Sequence, residues 1–151
     1  MKRIKQMETT PIIIDIDLKA PIEKVWQGLT NESDLDQWFF EVDDFKLEEG
    51  AIFKFYIGGE EEKYEHICKI LSIKENREFS YSWKYPDYAG TSIVKFELSK
   101  IGIDKTHLSF SHACTEIFSR QKAFLSHQYY IDQWNEKINI ALKEYVESGT
   151  E

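Results

Sequence analysis

Between Ala51 and His112 the chain alternates apolar and polar residues in one segment after another, and beyond about Arg120 the alternation stops. That change of period limits the fold more than any other feature. In AIFKFYI (51–57), Phe53, Phe55 and Ile57 fall on one side and Lys54 on the other. In FSYSW (79–83), Phe79, Tyr81 and Trp83 oppose Ser80 and Ser82. SIVKFEL (92–98) sets Val94, Phe96 and Leu98 against Lys95 and Glu97, and THLSFSH (106–112) groups Leu108, Phe110 and His112. IIIDIDL (12–18) behaves alike, with Ile14, Ile16 and Leu18 against Asp15 and Asp17. Strand side chains repeat every two residues, so each segment reads as a strand with one apolar face. A longer strand is expected from about Lys63 to Ile73. In the tail, Phe124, Ile131, Trp134, Ile138, Leu142 and Tyr145 carry a helical spacing, with Glu136, Lys137, Lys143 and Glu144 on the other face. This predicts an amphipathic helix over 120–147, stopped by Gly149.

Two short helices separate the first strand from the rest. Pro21 suits a first helical turn, and Ile22, Val25, Trp26 and Leu29 follow at helical spacing. A second helix starts near Asn31 or Ser33, with Glu32, Asp34 and Asp36 favoured by the helix dipole. It ends in Trp38-Phe39-Phe40; Trp38 reads as core, Phe39 as lining, and Phe40 as the start of the next strand. Gly58-Gly59 with Glu60–Glu62, Glu75-Asn76-Arg77, Pro86-Asp87 and Gly102–Lys105 mark turns. Strands followed by a segregated helix make an α+β domain. An antiparallel sheet with one apolar face needs a cover, and only the tail helix is long enough to supply it. A sheet curling around one helix leaves a gap wherever side chains do not meet, and that gap is the natural binding site.

The 151 residues suit a single domain, with 1–10 a flexible or edge segment. Ten Phe, eight Tyr and four Trp give more ring area than a minimal core needs. The net charge of −8 argues against nucleic acid, whose binding relies on Lys and Arg against phosphates. No apolar stretch approaches a membrane span. The opening MKRIKQMETT lacks the apolar region of a secretory signal, so a cytoplasmic protein with two free thiols is expected.

Several pieces in order resemble the SRPBCC (START-like, helix-grip) superfamily, in particular single-domain members similar to the activator of heat-shock protein 90 ATPase. They are Ala20-Pro21 to Val25-Trp26, Leu35 to Trp38-Phe39, Glu49-Gly50 before Phe53, and Phe79-Ser80-Tyr81-Ser82-Trp83. Thr106-x-Leu108 to His112 and Trp134 complete the set. The chain departs from the family at Phe39, Gln133 and Glu75-Asn76. The resemblance implies a helix-grip fold, with a curved antiparallel sheet of six to seven strands around a long C-terminal helix. It also implies a cavity between sheet and helix. Such cavities hold lipids, sterols, polyketides or hormones; a minority of members are enzymes, and the chaperone-activating members bind a protein on their surface.

Two tripeptides, His66-Ile67-Cys68 and His112-Ala113-Cys114, each place an imidazole and a thiol on one strand face. Two His and two Cys would suit zinc. In the helix-grip order their strands stand about three places, roughly 14 Å, apart, so no metal is expected. No nucleophile motif or phosphate loop appears, and no cofactor is expected. His112 points inward with Leu108 and Phe110, as a satisfied core histidine, a ligand anchor or, last, a general base. His127 has the same ranking near the cavity mouth, while His107 alternates outward into solvent. The expected function is non-catalytic binding of a small apolar molecule. Trp38, Phe39, Phe55, Tyr81, Trp83, Phe96, Phe110, His112, His127 and Trp134 line its cavity, and Tyr81 and His112 supply polar anchoring. The alternatives are a chaperone-like protein-interaction module, monomeric or homodimeric, and a cyclase- or dehydratase-type enzyme using His112.

Overall fold

The alternating segments pair into one antiparallel, unclosed sheet of six strands. The computed structural model describes residues 10–58, 63–86, 88–116 and 127–148. The strands are β1 (Ile12–Leu18), β2 (Ile52–Gly58), β3 (Lys63–Lys74), β4 (Glu78–Tyr85), β5 (Tyr88–Gly102) and β6 (Lys105–Glu116). They lie side by side as β1-β6-β5-β4-β3-β2. β5 and β6 run past their alternating stretches and stay paired as far as Thr91 opposite Glu116, across a register shift between Thr91 and Ser92. Backbone pairing needs no apolar side chain, so sequence alternation understates their length. Register shifts lie between Ile70 and Ser72 and between Trp83 and Tyr85. Such irregularities bend and twist a sheet, which here curves around the tail helix.

Between β1 and β2 stand α1 (Ile22–Thr30) and α2 (Glu32–Trp38). Asn31 caps α2, its side chain accepting from the amides of Ser33 and Asp34 at 3.1 and 3.4 Å. Three contacts fix this pair in the molecule. Trp38 Nε1 donates to the Gly28 carbonyl at 2.7 Å. Thr106 Oγ1 donates to the Ala20 carbonyl at 2.8 Å, and the Tyr145 hydroxyl donates to the Asp34 carboxylate. A Cβ on Gly28 would stand 3.4 Å from Val146 Cγ1, so the glycine lets α1 approach the tail closely. Phe40 begins no strand; an isolated bridge from Asp43 to Lys54 covers the β2 edge instead.

The tail comprises α3 (His127–Trp134), a π-helical stretch over Asn135–Leu142, and α4 (Lys143–Glu147). The expected helix start near Arg120 and the Glu60–Glu62 turn lie outside the described residues. Tyr130, Trp134, Ile138, Leu142 and Val146 are all buried at a constant spacing of four. Four α-helical residues overshoot one turn by about 40°, so this stripe would wind away from the sheet in a pure α-helix. The wider i→i+5 turns of the π stretch counter that drift and hold the stripe on one face. Ile131 and Tyr145, spaced as the helix period predicts, are only partly buried at its flanks.

The inward sheet residues meet this stripe. Phe55, Val94, Leu108 and Phe110 are inaccessible to solvent, as are Ile138 and Leu142 above them. Phe79, Phe96 and Phe110 stand in one cross-strand row with Ile14.

Candidate functional site

A crevice opens at one end of the interior. On one side are Tyr129, Tyr130, Gln133 and Trp134 of α3 and Lys137 of the π stretch. On the other are Phe39 and Phe40, with Ile57, His66 and Trp83 from the ends of β2, β3 and β4. With its mouth the crevice spans about 290 Å³, but its inner space is only about 10 Å³. A second void of about 10 Å³ lies at the α1/α2 end among Leu29, Leu35, Trp38, Phe53, Tyr81 and Phe96. A single buried water needs roughly this much room. The interior is thus filled by the protein's own rings. Phe110 and Trp134 meet at 4.4 Å between centroids, Phe96 and Phe110 at 5.1 Å, and Phe40 lies flat on Phe55 at 5.2 Å and 6°. Against the about 10 Å³ of these two voids, a far larger hollow of about 330 Å³ among Tyr56, Tyr64, Tyr85 and Tyr88 is an open polar depression at the strand ends.

The crevice end carries His66, Ser92, His112 and the Tyr85–Tyr130 pair, while Thr30, Ser80, Thr106 and the Tyr81 phenol are buried elsewhere. Trp134 Nε1 donates to His112 Nδ1 at 2.9 Å. An indole only donates, so His112 Nδ1 is bare and its proton sits on Nε2, 2.7 Å from Ser92 Oγ. Both ring nitrogens are spent. Burial, and secondarily the charge of His127, push the His112 pKa down to about 3, so the ring is neutral. Trp83 Nε1 donates to the Tyr85 hydroxyl at 2.9 Å, which lies 2.6 Å from the Tyr130 hydroxyl. Burial raises both phenol pKa values. His66 Nδ1 donates to the Tyr64 carbonyl at 2.8 Å while its ring stacks on Phe55 at 4.6 Å. Burial lowers its pKa to about 4, outweighing the carbonyls of Tyr64 and Phe55.

The structure distributes the predicted site residues unevenly. Phe39, Trp83 and Trp134 line the crevice. Phe55, Phe96, Phe110 and His112 are buried behind it, each in ring contact with Trp83 or Trp134. Trp38 and Tyr81 stand at the opposite end, and Tyr81 packs on Phe53 and Phe79. His127 Nε2 lies 3.1 Å from the Thr10 carbonyl, at the β1 edge. His107 is held on the outer face, with Nδ1 2.7 Å from Asp17 and Nε2 3.1 Å from Asp15. That is a clamp across β1 and β6 rather than a free solvated ring. His66 and His112 sit on strands separated by two others, and Trp83 stands 5.1 and 5.0 Å from the two rings. Among the described residues no group of three or more His, Cys, Asp or Glu is placed to hold a metal ion.

The sequence-based site lacks Phe40, Ile57, His66, Tyr129, Tyr130, Gln133 and Lys137, all of which line the crevice. Tyr130 was findable, since it extends the four-residue series of Trp134, Ile138, Leu142 and Val146. Lys137 carried no such signal; it is charged and sits among the polar positions of the tail. In the fold its ammonium donates to the Phe39 carbonyl at 3.1 Å and lies 4.3 Å from the centre of the Phe40 ring.

Residues 19–147 match the family model described as Activator of Hsp90 ATPase homolog 1-like protein. No curated protein matches the sequence. Among solved structures, the chain is similar to CalU16 from Micromonospora echinospora, at 28% identity and a TM-score of 0.70, covering 91% of this chain and 76% of that one. It is similar in fold to the Aha1 dimer from Colwellia psychrerythraea, at 21% identity and a TM-score of 0.68, covering 94% and 99%. CV1439 from Chromobacterium violaceum matches at 18% identity and a TM-score of 0.76, covering 91% and 96%. No described helix is long and apolar enough to cross a membrane.

Proposed function

The chain belongs to the family of Activator of Hsp90 ATPase homolog 1-like proteins, and we propose that it is a non-catalytic binder of a small apolar molecule at the crevice beside the tail helix. One observation carries this reading: the crevice is walled by aromatic rings, some of them only partly buried, with the polar side chains of Gln133 and Lys137 on the same wall. Ligand sites combine apolar walls with a few placed polar groups in this way.

Because the inner space is about 10 Å³, the guest enters by displacing rings. The movable ones are Phe40 and Tyr129, which are only partly buried, whereas Phe55 and Phe110 are locked. The hydrogen bonds of the candidate bases support the non-catalytic part of this reading. A general base must reach its substrate's proton. His112 already uses both nitrogens on Trp134 and Ser92, and the Tyr85 and Tyr130 hydroxyls are bonded to one another.

The filled interior favours a second reading, a module that binds a protein on its surface. Titration with N-phenyl-1-naphthylamine, a neutral apolar fluorophore, separates the two. The binding reading expects saturable enhancement that Ile57→Trp, which plugs the mouth from a partly exposed position, abolishes while the fold is kept. Enhancement that is absent, or indifferent to this change, leaves the surface-binding reading in possession.

A further inference from the structure

Among the described residues lining the crevice, Lys137 alone carries a formal charge. It is half-buried, and its ammonium has two neutral partners, the Phe39 carbonyl at 3.1 Å and the face of the Phe40 ring at 4.3 Å. An ammonium has three donors, and neither partner supplies a counter-charge. Burial lowers the Lys137 pKa despite the neighbouring Glu136. The charged form is therefore under-solvated where it stands, which a bound anion would relieve. Gln133, one turn earlier on the same helix, adds an amide to the same wall.

We propose, resting on the reading of this crevice as a ligand site, that the guest is an amphipathic monocarboxylate whose apolar body displaces the Phe40 and Tyr129 rings and whose carboxylate pairs with the Lys137 ammonium at the mouth. Among the described lining residues the single cation sets the charge of the guest. A phosphate dianion would have one positive partner among them, on a chain of net charge −8. A neutral alcohol would add nothing to the charge of the neighbouring Glu136, and a cationic amphiphile would be repelled. The depth of the polar groups agrees: the tyrosine pair and His112 are neutral and already bonded, so they accept the apolar end without demanding a partner.

Decanoate, decan-1-ol and decyltrimethylammonium, titrated at neutral pH below their aggregation concentrations, test this through quenching of the crevice tryptophans. The expected order is decanoate, then decan-1-ol about tenfold weaker, then the cation, the gap being that of one charge-assisted hydrogen bond. Lys137→Met should reduce decanoate to the alcohol's affinity in the same variant, and Lys137→Arg should restore most of the preference. Equal binding of acid and alcohol by the native chain, or a preference that survives Lys137→Met, overturns the carboxylate assignment while the crevice remains a ligand site. If none of the three binds, the carboxylate assignment and the crevice reading fall together.

Discussion

The two ends of the interior are built from the same material and differ in what accompanies it. At the α1/α2 end, Trp38, Phe53, Phe79 and Tyr81 close on a void of about 10 Å³, sealed by Leu29 and Leu35. At the tail-helix end, Phe39, Phe40, Trp83 and Trp134 close on a void of the same size. Ring content and void size do not tell them apart. The crevice end adds two imidazoles, a hydrogen-bonded tyrosine pair, half-buried rings and one cation at an open mouth. Buried polar groups are costly unless bonded, and at the crevice end they are bonded to one another. The comparison teaches that access and placed polarity, rather than aromatic abundance, mark the place where a guest can enter.

The sharpest way to break this contrast is to truncate one ring at each end. Phe79→Ala at the sealed end should cost about 3–5 kcal/mol of unfolding free energy in urea. Phe40→Ala at the mouth, where the ring is only partly buried, should cost about 2 kcal/mol or less. Equal losses would mean that the two ends are packed alike and that no mouth exists.

Acid provides the next test. His66 and His112, both at the crevice end, have folded pKa values of about 4 and about 3, below the ordinary histidine value. A lowered imidazole pKa means that the unfolded chain takes up protons first. Stability should therefore fall as pH drops below about 6.5, by up to ~1.4 kcal/mol per pH unit for each ring. His112→Gln should flatten this slope relative to the native chain in denaturation series from pH 7 to 4. An unchanged slope would contradict a neutral, bonded His112.

The smallest expected effect lies outside both ends and has a different window. His107, clamped first by Asp17 and then by Asp15, has a raised pKa, and Asp15 a lowered one, chiefly through His107. A raised imidazole pKa contributes stability below about 6.5 that disappears as pH rises through the folded value. A lowered carboxyl pKa contributes above about 3.9 and disappears as pH falls. The stability gap between the native chain and His107→Gln should thus be widest between about pH 4 and 6.5 and close at higher pH. A gap that grows toward pH 8 would rule out the clamp as a charged pair.

Much of the fold was legible because its signals are local. Ile12–Leu18 reads as a strand from its alternation alone, and the β1 boundaries agree with it. Asn31 offers itself as a cap and serves as one. The helix-grip resemblance, rather than a local signal, places His66 and His112 about three strands apart, as the sheet order has them. The sequence by itself thus determined the strands, the two short helices, the α+β class and an inward face crowded with rings, because two-residue and helical periods are carried by neighbouring residues.

What only the tertiary structure decided is how those rings meet. Whether Tyr81 and Trp83, two residues apart on one face, serve the same site depends on which partners cross above them. Tyr81 falls to the sealed end and Trp83 to the crevice. Lys137 reads as a solvated helix position until α2 delivers the Phe39 carbonyl and the Phe40 ring to its ammonium. The π stretch likewise answers a constraint from the sheet, which requires Tyr130 through Val146 to stay on one line. Such outcomes depend on contacts between residues about a hundred positions apart, and no local period encodes them.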